Sequence, residues 1–284
     1  MAISFYHQVL PIVVLYKQRI EESLTFLSLN QNLKEMDIRM DVFVYDNSPE
    51  KQYSQQLFEW ENFNITYLHD QNNSGLSKAY NTGADKAKAL GKKWVLLLDQ
   101  DTTFPEEFLL VNEHSVIQHP DVSLFAPILK LKNEVLFSPC IAKHKRGYPP
   151  KDLSPGIHSL WHYSPVNSGM LISLDLFTSV GGYNEKVKID FCDFQFLEKV
   201  RKINDQFYIM DTIALQDYSN FEYSAAKQKM RFTQYLEDAY NCEKPNFTDK
   251  LGFFYTVTRH ALGLSVKLGD LSFMSLYIQK YIIH

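Results

Sequence analysis

The sequence predicts an α/β fold: a doubly wound, mostly parallel sheet with helices on both faces, followed by a helical C-terminal tail. Over roughly the first 100 residues, short apolar runs alternate with helical patterns, an order typical of parallel strands joined by crossover helices. These runs lack polar alternation, as expected of strands buried on both faces. In residues 225–284, apolar and aromatic residues recur among basic ones in a mostly helical pattern.

Composition excludes several classes of protein. The chain has 284 residues, enough for one large or two small domains, and a formal net charge of −4, which indicates no nucleic-acid partner. Its three cysteines are far apart, so we expect neither a disulfide framework nor a zinc site.

The N-terminus lacks a basic region and a cleavage site, and no stretch reaches the ~18 apolar residues of a membrane span. We therefore expect a cytoplasmic protein.

Seven elements follow in order over the first part of the chain. Apolar runs predict four strands, and apolar residues at helical spacing predict the helices between them, the third of which ends at Gly91. The predicted strands are 10–16, 41–45, 65–68 and 94–98, and the predicted helices are 18–34, 51–60 and 76–90.

Beyond residue 105 the alternation is lost. Ser173 is a favoured cap for a short helix that closes at a pair of glycines. The predicted helices are 106–118, 173–180 and 194–203, and the predicted strands are 122–131, 134–138, 166–172, 207–210 and 212–215. Residues 139–163 are rich in proline, glycine and basic side chains, which predicts a mobile loop that closes over a ligand; an ordinary solvated loop is the alternative.

Two carboxylates, Asp99 and Asp101, directly follow the strand 94–98. Open α/β sheets bind ligands beyond the carboxyl ends of their strands, and paired carboxylates are hard oxygen ligands for Mg²⁺ or Mn²⁺. The alternative is that the acids only precede a helix, because Thr103 and Glu106 fit a capping box. That box leaves both aspartates without a role.

Other strands deliver polar residues at the same edge of the predicted sheet. Tyr16 follows the first strand, Asp46 the second, and Asp70 and Asn73 the third. Each has a local alternative, since Asp46 suits a turn and Asn73 a helix cap. Because four strands all contribute polar groups here, we interpret the edge as a binding site.

Asp193 stands at the start of the predicted helix 194–203. A helix cap is a serious alternative to a catalytic role, since aspartate is a favoured cap. The residues alone leave both interpretations open.

The motifs together resemble family 2 glycosyltransferases of the GT-A fold, within them the bacterial rhamnosyltransferase-like branch. The spaced pattern N-x-G-x-x-x-A-x-N-x-G from Asn73 to Gly83, with D-Q-D at 99–101, is the most specific part. Order and spacing agree from about residue 10 to 217. The other matching stretches are 13–16, 44–48, 167–169, 181–185, 189–193 and 255–260.

The resemblance implies a division of the chain. Residues 1–220 would form the catalytic domain, with a nucleotide-sugar half at about 1–105 and an acceptor half at about 106–220. Residues 221–284 would be a helical extension that packs on the catalytic domain or on another subunit, or lies on a membrane at its inner face.

The resemblance also implies a role for individual residues. Asp101 would hold Mg²⁺ or Mn²⁺ on the diphosphate, and Asp193 would be the general base. Two positions depart from the pattern, because Gln216 stands where the family often has histidine and Lys199 where it often has arginine. Tyr16, Asp46, Asn73, Gly75, Asn81 and Asp99 would line the nucleotide site, and Asn167, Ser168, Gly169 and Asp190 the acceptor side.

The expected activity is inverting, metal-dependent transfer of a sugar, rhamnose being the sugar that the branch suggests. The donor would be a nucleoside-diphosphate sugar and the acceptor a saccharide or lipid-linked saccharide in bacterial surface polysaccharide synthesis. Two alternatives stay open, a GT-A-like nucleotidyltransferase and a catalytically degenerate nucleotide-binding or scaffold protein. A dinucleotide site fits poorly, because no G-x-G-x-x-G follows the first strand.

Overall fold

The computed structural model of the chain describes residues 4–217 and 225–283. Its helices are α1 (Phe5–Gln8), α2 (Leu24–Glu35), α3 (Leu76–Ala89), α4 (Phe108–Gln118), α5 (Leu174–Ser179), α6 (Cys192–Val200), α7 (Ala225–Asn241), α8 (Phe247–Leu268) and α9 (Ser272–Tyr277). Its strands are β1 (Val9–Leu15), β2 (Met40–Asp46), β3 (Leu57–Trp60), β4 (Phe63–His69), β5 (Trp94–Asp99), β6 (Thr102–Thr103), β7 (Leu124–Leu131), β8 (Leu136–Ser138), β9 (Ile141–Lys143), β10 (Arg146–Tyr148), β11 (Gly156–Ser159), β12 (Met170–Ser173) and β13 (Gln206–Gln216).

One mixed sheet organises the molecule. Its main path runs β11-β13-β7-β12-β5-β1-β2-β4-β3, with β6 paired to β13 and β8 to β7. The longer strands β1, β2, β4, β5, β7 and β13 point the same way, and β12 runs against its neighbours β5 and β7. The predicted mostly parallel α/β sheet is therefore confirmed. Because β12 is reversed, the turn before it lies at the same edge as the carboxyl ends of β5 and β1.

Two hydrophobic layers cover the sheet. On one face, alternate residues of β1 and β5 belong to one buried cluster with residues of α3, α5 and α6, among them Ile12, Leu97 and Tyr80. On the other face, the intervening residues pack with α2 and α4. Strands that bury both faces explain the uninterrupted apolar runs in the sequence.

The C-terminal helices share the core of the central sheet. Phe232 of α7 and Phe253 of α8 belong to the same buried cluster as β1 and β5. The ring of Phe191, just before α6, lies 5.0 Å from the ring of Phe253. Packing of the extension on the rest of the chain is thus observed, while the predicted boundary near residue 220 lies outside the described residues.

The predicted helix 51–60 is wrong. Residues 57–60 form β3, an edge strand antiparallel to β4, with Trp60 opposite Phe63. Glu61 takes a positive φ of 49° in the turn that joins the two strands. The side chains of β3 alternate in exposure, and the Trp60 ring stacks on Phe63, so a period of two replaces the helical spacing. Packing on the sheet edge decided the local structure here.

Smaller differences lie in the second half of the chain. The strands predicted at 207–210 and 212–215 form one strand, β13, whose register against β7 shifts between Ile209 and Ile213. Residues 139–163 contain the hairpin β9–β10 and the edge strand β11 rather than a loop without regular structure. Closure of this segment over a ligand stays a prediction. The predicted cap at Ser173 is confirmed, since its hydroxyl accepts from the Leu176 N–H.

Within residues 4–217 and 225–283, no helix combines the length and the apolar character needed to cross a bilayer.

Candidate active site

A cavity of about 1020 Å³ opens at the carboxyl ends of the parallel strands. Tyr16 after β1, Asn47 after β2 and the acid pair Asp99 and Asp101 at the end of β5 line it together with helix α7. The reversed strand β12 brings Asn167 to the same cavity. The site therefore lies where the sheet topology concentrates polar residues, as predicted for an open α/β sheet.

Gln100, between the two acids, ties the end of β5 to the end of β1. Its Oε1 accepts from the Tyr16 N–H at 2.7 Å, and its Nε2 donates to the Tyr16 carbonyl at 3.3 Å. On the other side of the strand end, the buried Tyr80 hydroxyl of α3 donates to Asp99 Oδ1 at 3.0 Å. These contacts fix where Asp99 enters the cavity.

A chain of hydrogen bonds orients Asp101. Thr102 Oγ1 donates to Gln216 Oε1 at 2.5 Å, and Gln216 Nε2 donates to Asp101 Oδ1 at 2.6 Å. Ser168 Oγ lies 2.6 Å from Thr102 Oγ1, which accepts from it. The pairing of Thr102 in β6 with Gln216 in β13 brings these distant residues together. Gln216 thus holds one oxygen of Asp101, whose side chain belongs to the lining of the cavity.

Three carboxyl groups of the cavity have raised pKa values. Burial raises the pKa of Asp99, and the charge of Asp193 adds to that rise. Burial also raises the pKa of Asp101, with the neighbouring Asp99 as the next cause. Burial, assisted by the charge of Asp190, raises the pKa of Asp193 to about 6. The acids lie close enough to repel one another, so a bound cation would be stabilised among them.

Asp193 lies in the first turn of α6 rather than at its cap. The residue at the cap position is Phe191, which has a φ of 66° and makes no side-chain cap bond. Asp193 Oδ1 accepts from the Phe194 N–H at 2.8 Å, and the side chain lines the cavity. The alternative in which Asp193 is simply the helix cap does not match this geometry.

Asp190, the nearby acid, is engaged in a bidentate ion pair. Arg231 Nη2 donates to Asp190 Oδ1 at 2.7 Å, and Arg231 Nη1 donates to Asp190 Oδ2. Such paired geometry stabilises the carboxylate and occupies both of its oxygens. Of the two acids, Asp193 is therefore the better placed to accept a proton.

A buried acid of α7 holds the segment that carries these residues. Asp238 accepts the backbone N–H groups of Lys188, Ile189 and Asp190, at 2.7, 3.0 and 2.9 Å. Asp238 itself is fully buried, and these three donors, together with Gln234 Nε2 at 3.1 Å from Asp238 Oδ1, compensate for its lost water. Helix α7 is thus a structural support of the site as well as part of its wall.

The same segment presses on the start of α3. The Lys188 carbonyl accepts from the Leu76 N–H at 2.7 Å. Gly75 has a φ of +93°, and a Cβ at this position would lie 2.5 Å from the Lys188 oxygen. Only glycine allows this approach, which places the nucleotide side predicted from the sequence against the segment before Asp193.

Eight of the predicted site residues line the cavity. They come from both halves of the chain, and helix α7 adds further residues that sequence reasoning missed. The eight are Tyr16, Asn73, Gly75, Asp99, Asp101, Asn167, Asp190 and Asp193, and the residues of α7 are Lys227, Met230, Arg231, Thr233, Gln234 and Glu237.

Four predicted residues lie outside this lining. Asp46 is fully buried and accepts from the Tyr67 hydroxyl at 2.5 Å, so its neighbour Asn47 faces the cavity instead. Ser168 supports Thr102, as described above. Gly169 has a φ of +81°, and its N–H donates to the Leu97 carbonyl at 2.8 Å.

Asn81 is the fourth residue outside the lining. Its Oδ1 accepts from the Tyr183 N–H at 2.8 Å, and its Nδ2 donates to the Tyr183 carbonyl at 3.0 Å. Lys199, one of the two departures from the family pattern, donates to the Gly182 carbonyl, and burial lowers its pKa. Both side chains therefore secure the turn 181–185 that precedes the candidate base.

The carboxylate oxygens of the acid pair are the candidate donor atoms for a metal. In the described part of the chain, no cluster of three or more His, Cys, Asp or Glu side chains is arranged to hold a cation. Asp101 and Asp99 nevertheless offer hard oxygen atoms of the kind that Mg²⁺ and Mn²⁺ prefer. The residues fit a metal that is shared with a ligand supplying further oxygens, such as a diphosphate.

Comparison with known proteins supports the sequence resemblance. The family model described as "Glycosyl transferase family 2" matches residues 13–153, which include the end of β1, the acid pair and hairpin β9–β10. The comparison with curated proteins found no match.

Two solved structures illustrate the fold match. The first, GalNAc-T7 with UDP, GalNAc and Mn²⁺, has a TM-score of 0.56 and 10% identity; the match covers 91% of this chain and 57% of that chain, so this chain spans little more than half of it. The second, Staphylococcus aureus TarS 1–349 in complex with UDP-GlcNAc, has a TM-score of 0.55 and 16% identity, over 96% of this chain and 79% of that chain. The chain therefore has the GT-A fold, and a region of it, residues 13–153, matches the family model of glycosyl transferase family 2.

Proposed function

We propose that the protein transfers a sugar from a nucleoside-diphosphate sugar to a saccharide or lipid-linked saccharide acceptor, with inversion at the anomeric carbon and with a divalent metal. Bacterial surface polysaccharide synthesis is the process that such an acceptor suits. One observation carries the proposal: the acid pair after β5 and the separate acid Asp193 line the same cavity. An acid pair for the donor and a lone base for the acceptor are what a single displacement requires.

The donor would occupy the side of the cavity formed by β1, β2 and β5. Tyr16, Asn47 and Asn73 would contact the nucleoside, with Asp99 near the ribose. Asp101 would bind the metal through the oxygen that Gln216 does not hold, together with the diphosphate. The metal would offset the negative charge that develops on the leaving diphosphate.

The acceptor would lie between Asp193 and helix α7. With a pKa of about 6, Asp193 is ionised at neutral pH and is a stronger base than an ordinary aspartate. It would take the proton of the acceptor hydroxyl as that oxygen attacks the anomeric carbon. Asp190 keeps its ion pair with Arg231 throughout and shapes the acceptor side with Asn167.

Gln216 gives the metal site its own character. Its amide N–H donates to Asp101, whereas a histidine at this position could offer a ring nitrogen to the metal. We therefore expect the metal to bind weakly to the free protein and much better with a nucleoside diphosphate. The structures of GalNAc-T7 with UDP and of TarS with UDP-GlcNAc make UDP the first nucleotide to test, and the resemblance to the rhamnosyltransferase-like branch adds nucleotide-linked rhamnose.

The test combines binding and turnover. Calorimetric titration of nucleoside diphosphates, with Mn²⁺ and with a chelator, should show metal-dependent affinity that Asp101→Asn abolishes. Asp211→Asn is the matched control, because Asp211 is an exposed aspartate on β13, the strand that also carries Gln216. A panel of nucleotide sugars should then reveal metal-dependent release of the nucleoside diphosphate. Equal nucleotide affinity in Asp101→Asn and wild type would overturn the assignment.

A further inference from the structure

Helix α8 carries an apolar stripe on the side that faces away from the protein. Its inner side is buried through Phe253, Val257 and Ala261. On the opposite side, four apolar side chains are exposed at helical spacing, and Arg259 lies between the second and the third. The four are Leu251 at 59%, Tyr255 at 63%, Leu262 at 49% and Val266 at 82% exposure. We call these five residues the α8 face.

The α8 face is continued by other exposed apolar residues. Phe247 at the first position of α8 is 79% exposed, and Leu271 just after its end is 81% exposed. The stripe from Leu251 to Val266 is about 22 Å long, at about 1.5 Å per residue. Monomeric soluble proteins rarely leave a contiguous apolar patch of this kind uncovered, so the α8 face is expected to have a partner.

The charges around the stripe indicate what covers it. Within the described residues, no ion pair joins Lys250, Arg259 or Lys267 to a carboxylate. The acidic residue of α8 is Asp249, which accepts from the Asn246 side chain at 2.7 Å near the N-terminus of the helix. An apolar stripe with a surplus of basic groups suits a surface that is apolar beneath and anionic above.

A second copy of the chain suits this face less well. Arg259 lies near the middle of the stripe, so a two-fold pairing of α8 with its copy would bring two arginines together at the centre of the interface. The α8 face has no carboxylate to neutralise them, and such like-charge contacts oppose association. Lipid phosphates would instead pair with Arg259, whose long side chain can extend from an apolar surface to the headgroups.

We propose that the α8 face binds the surface of an anionic lipid bilayer, with helix α8 lying in the plane of the interface. Leu251, Leu262 and Val266 enter the acyl boundary, Tyr255 lies at headgroup level, and Arg259 contacts phosphate. Binding of this kind needs neither donor nor metal. If the proposed function also holds, the surface would position the cavity near a lipid-linked acceptor, a consequence that rests on that function.

Vesicle binding tests the proposal directly. The wild-type protein should sediment with vesicles that contain phosphatidylglycerol, much less with pure phosphatidylcholine, and less again in high salt, because the basic groups act by screened electrostatics. The double variant Leu262→Gln/Val266→Gln should lower partitioning by about tenfold or more, since it removes the apolar anchors. Arg259→Gln should weaken mainly the dependence on anionic lipid.

Ile117→Gln is the matched control. Ile117 is an exposed apolar residue of α4, at 66% exposure, and its replacement should leave vesicle binding unchanged. Circular dichroism of each variant checks that exposed substitutions leave the fold intact. Failure of the wild type to bind anionic vesicles would overturn the proposal. So would a wild-type dimer in light scattering that the double variant converts to a monomer. Vesicle binding by a protein that shows no sugar transfer would support this proposal and contradict the proposed function.

Discussion

Replacing Asp193 by asparagine should make the protein more stable and at the same time inactive. Burial and the charge of Asp190 raise the pKa of Asp193 from 3.8 to about 6. The carboxyl group of Asp193 thus binds its proton more tightly in the folded state than in the unfolded state. The protonated carboxyl favours folding below about pH 4, and this contribution is lost as the pH rises through about 6.

The size of the effect on stability follows from the shift in the pKa of Asp193. Two pKa units correspond to about 3 kcal/mol, which is the stability that the charged Asp193 costs the fold at about pH 8. Asparagine carries no charge, and its Oδ1 can still accept from the Phe194 N–H that Asp193 binds at 2.8 Å. Asp193→Asn should therefore raise the free energy of unfolding by up to about 3 kcal/mol at about pH 8 and by about half as much at pH 5.

Urea unfolding at the two pH values measures the stability, and transfer assays measure the catalytic effect. Turnover should fall by roughly 10²–10⁴-fold because asparagine cannot accept the acceptor's proton, while nucleotide affinity is retained. In the wild type, kcat/KM should rise as the pH increases through about 6 and then level off, because the base acts when ionised. In Asp193→Asn, the residual kcat/KM should not show this dependence on pH near 6.

Asp190→Asn is the informative control. It breaks the bidentate pair with Arg231, so it should destabilise the protein instead of stabilising it. A variant Asp193→Asn that is no more stable than wild type at about pH 8 would refute the burial argument. Near-normal transfer by the same variant, or loss of transfer in Asp190→Asn alone, would refute the choice of base.

Four other predictions concern the surroundings of the site. Asp238→Ala leaves three partly buried backbone N–H groups without their acceptor, so we expect a loss of about 2–4 kcal/mol in urea unfolding and a larger fall in transfer than in nucleotide affinity. Gly75→Ala should weaken nucleotide binding in calorimetry, whereas Gly91→Ala, which has a similar positive φ but open space at its Cβ, should cost only stability. Gln216→His should strengthen Mn²⁺ binding to the free protein in calorimetric titration, since imidazole is a better metal ligand than an amide; unchanged affinity would count against a metal at Asp101. Limited proteolysis should show protection of residues 139–163 by bound nucleotide, and equal cleavage with and without it would leave them as an ordinary surface segment.

The sequence by itself determined where the central strands lie along the chain and that their carboxyl ends carry the polar residues. Runs such as 94–98 are apolar because their strands are buried on both faces, and that requirement is visible in the residues themselves. The acid pair Asp99 and Asp101 could be recognised from the sequence because it stands where this apolar run ends. The cap at Ser173 is equally local, since it depends on atoms within three residues.

Other features depend on contacts between residues far apart in the chain, so only the tertiary structure could decide them. Residues 57–60 became a strand because β4 offered an unpaired edge, an influence that local spacing does not record. Asp46 proved to be buried behind Asn47, because the twist and packing of the sheet decide which of two adjacent polar residues faces a cavity.

Helix α7 is the main contribution of the tertiary structure to the site. The pair Asp190–Arg231 joins residues 41 positions apart, and the bonds of Asp238 to the 188–190 backbone span about as much chain. The sequence predicted a helical, partly basic tail, but its periodicity indicates only which side is apolar and not what that side contacts. The long-range packing that buries α7 against the sheet layer selects its partners, and so it decides which acid is held in an ion pair and which one faces the cavity.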